Sequence, residues 1–252
     1  VGQIICAHYL NSDASAVFGI GIMLGTFYGA FASAISGVFL ARTTRLVINT
    51  ETLNLANTKV GILTLSILFP ILAGFLLYGD IFIKLWAGKN YSQSWIVALC
   101  IMVISTVPLS LAIASQKAEA LGLFRYRAYL NLFSATLGVI ISIMLVKPLN
   151  ILGVLIGLVV GVALNNLFLI NFYIRRINMN FDLLIEKALR LFMLTIIVTA
   201  LNYFGRFFLQ EFSLLNELFT IVIGLSIFTI SYIGIIYIFF YRKNQELYRI
   251  LQ

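Results

Sequence analysis

Charged residues along this chain fall in clusters, and the stretches between them are continuously apolar. No charge interrupts the chain between Asp13 and Arg42, between Lys59 and Asp80, or between Lys89 and Lys117. The apolar windows predict membrane-spanning helices at 16–41, 60–79, 94–115, 128–146, 149–174, 191–209 and 218–241. A hydrocarbon core of about 30 Å needs about 20 helical residues, and each window meets or nearly meets that length. Val1–Leu10 reads as the end of an eighth span, and the chain as the later part of a longer protein. A membrane barrel would show short segments of alternating polarity, and these runs are too long and too uniform. The expected fold is therefore an all-α, polytopic membrane helix bundle. Pro148 suits the first turn of the span that follows it. The longest outer loop, Asp80–Gln93, has about the length of a re-entrant turn. The inner Arg42–Lys59 stretch sets Leu46, Leu53 and Leu55 among polar residues, which predicts a helix lying at the membrane interface. No separate domain hangs off these spans.

Composition agrees with the pattern. The 252 residues are 62% hydrophobic and 10% charged, against about 25% charged in an ordinary soluble domain, and mean hydropathy is +1.04. The net charge of +8 is unevenly distributed. With the spans above, Lys and Arg alternate in density from loop to loop, and thirteen of the seventeen fall on one side with the C-terminal tail. The other side holds Lys84, Lys89, Lys147 and Arg206. Basic loops stay cytoplasmic, so the C-terminus is expected inside and Asp13 outside. The charge is thus mostly topological, and with no basic–aromatic stripe or long basic tail, nucleic acid is not an expected partner.

Chemistry for catalysis is sparse. His8 is the only histidine, the two cysteines give no disulfide framework, and no HExxH, GxSxG or phosphate-cradling glycine loop occurs. No enzyme activity, metal or cofactor is expected. The first five spans contain no Asp or Glu, so they offer no buried carboxylate for carrying an ion. They are rich instead in small and neutral polar residues. Gly21, Gly25, Gly29, Ser33 and Gly37 stand four apart. A four-residue step overshoots the helical turn by about 40°, so this set winds around its helix by about 160° and can face more than one neighbour. Gly153, Gly157 and Gly161 repeat the step, followed by Asn165 and Asn166, and Asn131 opens the preceding span. Close helix packing and the lining of a polar cavity both account for these sets. Arg42, Arg45, Lys117, Arg125 and Arg127 cluster at inner ends. They satisfy the topology rule, and guanidinium groups also match phosphate geometry. Pro70 and Pro108 fall mid-span, as kinks or hinges.

One ordered series of segments goes further. "IFIKLWAGKNYSQSW" (Ile81–Trp95) is followed by a proline-containing span, then "ASQKAEALGLFRYRAYLN" (Ala114–Asn131), then "MLVKPLNILGVLIGLVVG" (Met144–Gly161). The order resembles the C-terminal half of bacterial polysaccharide and O-antigen flippases of the multidrug/oligosaccharidyl-lipid/polysaccharide superfamily. Leu85, Gly88 and Tyr91 match that family's Leu-x-x-Gly-x-x-[Phe/Tyr] outer turn. Lys117 to Arg127 match its basic inner loop, and Gly153, Gly157 and Gly161 its glycine-rich helix with slightly altered spacing. The resemblance covers roughly Phe18–Phe181. Where family members often carry a proline late in the first helix of this lobe, this chain has "FLARTTRL", so a gating role for that proline does not carry over.

The resemblance implies one lobe of a two-lobed transporter in the bacterial inner membrane, feeding surface polysaccharide biosynthesis. Its substrate would be a lipid-linked oligosaccharide, an undecaprenyl-diphosphate glycan moved to the outer leaflet by alternating access. Its partners would be that glycan, membrane lipid, an N-terminal lobe and glycan polymerase machinery. Cation-coupled efflux of small molecules and an integral-membrane enzyme such as a glycan polymerase are the alternatives.

Overall fold

The computed structural model describes residues 1–43, 50–211 and 222–234, with side chains over 1–37, 52–205 and 222–234. The described residues are helical with short turns, and no strand occurs among them. The helices are α1 (Gly2–Tyr9), α2 (Ser12–Thr43), α3 (Thr50–Trp86), α4 (Ser94–Ser110), α5 (Ala112–Ala120), α6 (Phe124–Ile177), α7 (Asp182–Glu211) and α8 (Val222–Gly234). By length and composition α2, α3 and α6 can each cross a membrane. The bent pair α4–α5 makes a fourth candidate. The chain is a helical membrane protein on this measure. Within the described residues α7 and α8, which carry the expected spans 191–209 and 218–241, do not meet the same standard.

Three expectations need correction. The Arg42–Lys59 stretch does not form a separate interfacial helix from Thr50 onward; it is the first part of α3. Leu53 and Asn57 are buried there, so this segment is drawn into the bundle. The outer turn after α3 is also shorter than expected, because the helix runs through Asp80 and Lys84 to Trp86. Only the turn around Gly88 and a 3₁₀ turn at Lys89–Tyr91 separate α3 from α4. Finally, Pro148 does not open the second arm of α6; the reversal comes two residues later, at Asn150 (φ 53°, ψ −134°).

That reversal organises the fold. A straight helix of 54 residues would be about 81 Å long, far more than a bilayer core. Instead the arms 124–149 and 151–177 fold back on each other. Small residues form the seam. A Cβ placed on Gly138 would lie 2.9 Å from the Gly157 carbonyl oxygen, and one on Gly161 would lie 3.0 Å from the Gly138 Cα. Ser142 sits between them and donates to the carbonyls of Gly138 (2.8 Å) and Val154 (3.1 Å). Such backbone approach is how helices associate without a hydrophobic driving force between them.

Helix α2 packs mainly on α4, and α1 wedges between α2 and α6. The four-apart set in α2 divides between contact and open space. Gly21 and Gly25 are buried against Val97 and Ile101 of α4, whereas a Cβ added at Gly29 or Gly37 would meet nothing within 4 Å. One set thus serves an internal contact in the first half of α2 and faces open space further along. The other side of the bundle is a core of α3, α5, the end of α6 and the start of α7, including Leu53, Ile113, Phe172, Phe181 and Leu191.

These contacts separate two glycines of the same sequence pattern in behaviour. Gly157→Leu drives a side chain into backbone, with the Ser142 nitrogen 2.5 Å and the Gly138 oxygen 2.6 Å from the Cβ position, and is expected to cost about 3 kcal/mol. Gly29→Leu meets nothing within this bundle and is expected to lower the thermal unfolding midpoint of the purified protein by much less. Equal losses in the two variants would show that Gly29 also lies in a packed seam.

Candidate functional site

The α6 hairpin brings the beginning and end of that helix to one place, and α4–α5 completes the surroundings. Tyr126 and Phe172 stack across the arms with ring centroids 4.8 Å apart. At this end of the bundle lie Lys117, Arg127, Asn166 and Pro108, four of the candidates read from the sequence. Ser115, Glu119 and Tyr173 join them here without having been candidates.

Pro108 and Asn166 form a unit. In a regular helix the N–H of residue 108 would donate to the carbonyl of Ile104, and proline has no N–H to give. The Asn166 side-chain amide, 62 residues away, donates to that same Ile104 oxygen at 3.0 Å. A cross-helix side chain therefore replaces the lost backbone bond. Three residues beyond Pro108 the helix breaks at Leu111, and α5 departs at 53° to α4. On the opposite flank, Tyr28 and Thr106 share a buried hydrogen bond of 2.7 Å, tying α2 to α4 just before the bend. Pro70 lies inside α3 without breaking it.

Lys117 and Arg127 play different parts. Lys117 is 6% exposed, and its ammonium donates to the carbonyl of Ile177 at 3.0 Å. Ile177 ends α6, where carbonyls lack helical partners and the dipole favours a cation. Lys117 thus caps the hairpin. Arg127 Nη1 donates to Glu119 Oε1 at 2.7 Å and to the Ser115 carbonyl at 3.2 Å. Its Nε is buried and has no partner. A buried donor left in this state costs about 1–3 kcal/mol. The two sides of the ion pair meet solvent unequally, with the Arg127 side chain 19% exposed and that of Glu119 58%.

Gly122 makes that pair possible. It stands at φ 72° after α5, with the Leu123 N–H donating to Ala118 and the Gly122 N–H to Glu119. This is the helix-ending arrangement that favours glycine, and it turns the chain sharply enough for Arg127 to reach back over α5. Arg127, Ser115, Asn166 and Tyr173 line a nook of about 60 Å³ against Pro108. Beside it, sharing Val107 and Leu111, lies an apolar crevice of about 530 Å³ walled by α3, α4 and α7, among them Phe69, Leu184 and Phe192.

The remaining sequence candidates are elsewhere. Asn131 and Asn165 line a second cleft, of about 280 Å³, between α1 and the hairpin seam. Ser134 Oγ and Asn165 Oδ1 in its wall are buried and unpartnered. Gly161 also borders this cleft, whereas Gly153 is buried at the seam beside Leu145. Arg125 is exposed on the first turn of α6, and Ser33 is exposed on α2. The Arg42 side chain and Arg45 lie outside the described residues. Among the described residues, no three His, Cys, Asp or Glu side chains are grouped as a metal site. No family model, no curated protein and no solved structure matches this chain.

Counting only cations in the basic loop passes over Glu119, although it lies eight residues before Arg127 with a turn-forming Gly122 between. A signal for Asn166 is also present in the sequence, since Pro108 orphans the carbonyl four residues earlier. Asn166→Leu is expected to cost about 1–3 kcal/mol by stripping Ile104 of its donor. Pro108→Ala, which returns an N–H to position 108, should recover most of that loss. A double-mutant cycle read by thermal unfolding should give a coupling of about 1 kcal/mol or more; additive effects would mean the two residues act independently.

Proposed function

We propose that this chain is the C-terminal lobe of a transporter that moves a lipid-linked oligosaccharide from the cytoplasmic to the outer leaflet of a bacterial inner membrane. The observation that carries the proposal is the juxtaposition of the cationic nook at Arg127 with an apolar crevice across Val107 and Leu111. An amphiphile with a phosphate head and a hydrocarbon chain has chemistry for both. The guanidinium offers donors to phosphate oxygens, and the crevice offers a surface no different from lipid. The order of segments resembling polysaccharide flippases supports the same substrate class, and the loop charges support a cytoplasmic C-terminus.

No bond is made or broken in this scheme. A charged, hydrated head group cannot enter hydrocarbon unaided, so the protein's task is to supply polar and cationic partners along its way. The lobe would meet an N-terminal partner lobe along the face of α2 where Gly29 and Gly37 lie open. The two lobes would rock about the substrate, with the Pro108 bend as a point of flexure in this half.

Reconstitution tests the proposal. In vesicles carrying a fluorescent lipid-linked glycan, the natural protein should accelerate flipping. Arg127→Gln and Asn166→Leu should each slow it by about tenfold while the protein still inserts and elutes as a single species. Flipping at the wild-type rate in both variants would remove this site from the transport path. A new covalent glycan product would favour a polymerase instead.

A further inference from the structure

We propose that Glu119 is a built-in occupant of the Arg127 site, a carboxylate that holds the guanidinium until a phosphoryl group displaces it. The inference rests on the phosphate reading of Arg127 and adds a means of regulating that site.

Three observations carry it. Glu119 is well exposed, while the arginine it holds is largely covered. When the pair separates, the carboxylate is free to hydrate and the guanidinium is not. Second, the carboxylate is lightly held. Arg127 supplies its one short bond, at 2.7 Å, and the Ser115 hydroxyl approaches only to 3.5 Å. Third, the carboxylate leaves the fork incompletely used. Glu119 and the Ser115 carbonyl both take Nη1 and Arg127 Nε is buried without an acceptor, so the carboxylate fills neither bidentate edge of the guanidinium, Nε with Nη2 or Nη1 with Nη2. Glu119 thus neutralises the arginine without satisfying it.

The nook has the right scale and lining for the exchange. Its volume of about 60 Å³ is enough for a few waters or a single tetrahedral oxyanion group. Ser115, Tyr173 and Asn166 border it with neutral hydroxyl and amide groups. No acid lines the nook, and Glu119 holds the guanidinium from outside that lining. The internal carboxylate also explains how an arginine sits stably among apolar helices when no substrate is bound, since an uncompensated charge there is strongly disfavoured. An incoming phosphoryl group that spans the Nη1–Nη2 edge replaces one good hydrogen bond with two, and Glu119 swings to water. Weak anions that cannot engage the fork leave the pair closed.

The test uses the natural protein in phosphatidylcholine nanodiscs, with farnesyl diphosphate as the probe, farnesol as the phosphate-free control, and calorimetric titration as the readout. Glu119→Gln is expected to bind the diphosphate about tenfold more tightly than wild type, with farnesol binding unchanged. Arg127→Gln is expected to bind it at least tenfold more weakly. Should Arg127→Gln fail to elute as a single species, Arg127→Lys serves the same arm. It keeps the charge, loses the planar fork, and should weaken binding about threefold or more. Unchanged or weaker binding by Glu119→Gln, with loss in the Arg127 variant, overturns the displaceable carboxylate and leaves the phosphate site standing. Wild-type affinity in the Arg127 variants overturns both.

Discussion

The close approach of two backbones along the α6 hairpin is the contact on which the rest of this bundle depends. Gly138, Gly157 and Gly161 bring the arms near enough that carbonyls and α-carbons meet directly. This geometry sets where residues 124–131 and 166–177 lie relative to each other. Arg127 then faces Tyr173 across the nook, Tyr126 stacks on Phe172, and the end of α6 presents its last carbonyl to Lys117. Apolar side chains alone would not specify this arrangement, because a helix gains little by exchanging lipid for another greasy surface. Small residues specify it by shape, since any Cβ at the seam opens the hairpin.

A second constraint follows from the same surroundings. In hydrocarbon each unpaired backbone group costs several kcal/mol, so every irregularity must be matched by a donor or acceptor from elsewhere. The molecule repeatedly meets this demand with side chains that cross between helices. Asn166 replaces the donor that Pro108 lacks. Lys117 covers the end of α6. Each of these is also a tie between elements distant in sequence. The irregular points of the helices are therefore where the bundle is most strongly cross-linked by polar groups.

Much of the architecture is legible in the residue pattern. Continuous apolar windows mark where the helices lie, although α3 and α6 run on through charged residues, and of the α2 glycines with a four-residue step Gly21 and Gly25 meet α4 while Gly29 and Gly37 meet nothing. The two arms of α6 are legible as separate spans, because Lys147 and Pro148 interrupt the run. What escapes is pairing. Pro108 announces that Ile104 lacks a donor but not that Asn166 supplies it, because the bond exists only after α4 and the second arm of α6 have docked. Nothing local to Glu119 announces Arg127 until Gly122 turns the chain. The start of α3 departs from expectation for a related reason. Leu53 and Asn57 sit in a polar stretch that looks interfacial on its own, and burial by neighbouring helices overrides that local character.

The Pro108–Asn166 unit also bears on how a rigid-looking helix bundle could flex. A backbone hydrogen bond within a helix is held by its neighbours on both sides, so it opens only as part of a turn. The bond from Asn166 has no such support. It can lengthen when α4 and α6 separate, without unwinding either helix. Yet both freed groups, a carbonyl and an amide, then need new partners, and the hydroxyl- and guanidinium-lined nook beside them is the nearest place to find water or ligand. A ligand that brings acceptors and donors into the nook would lower the cost of opening the bend, which is the differential stabilisation that any ligand-driven conformational change requires.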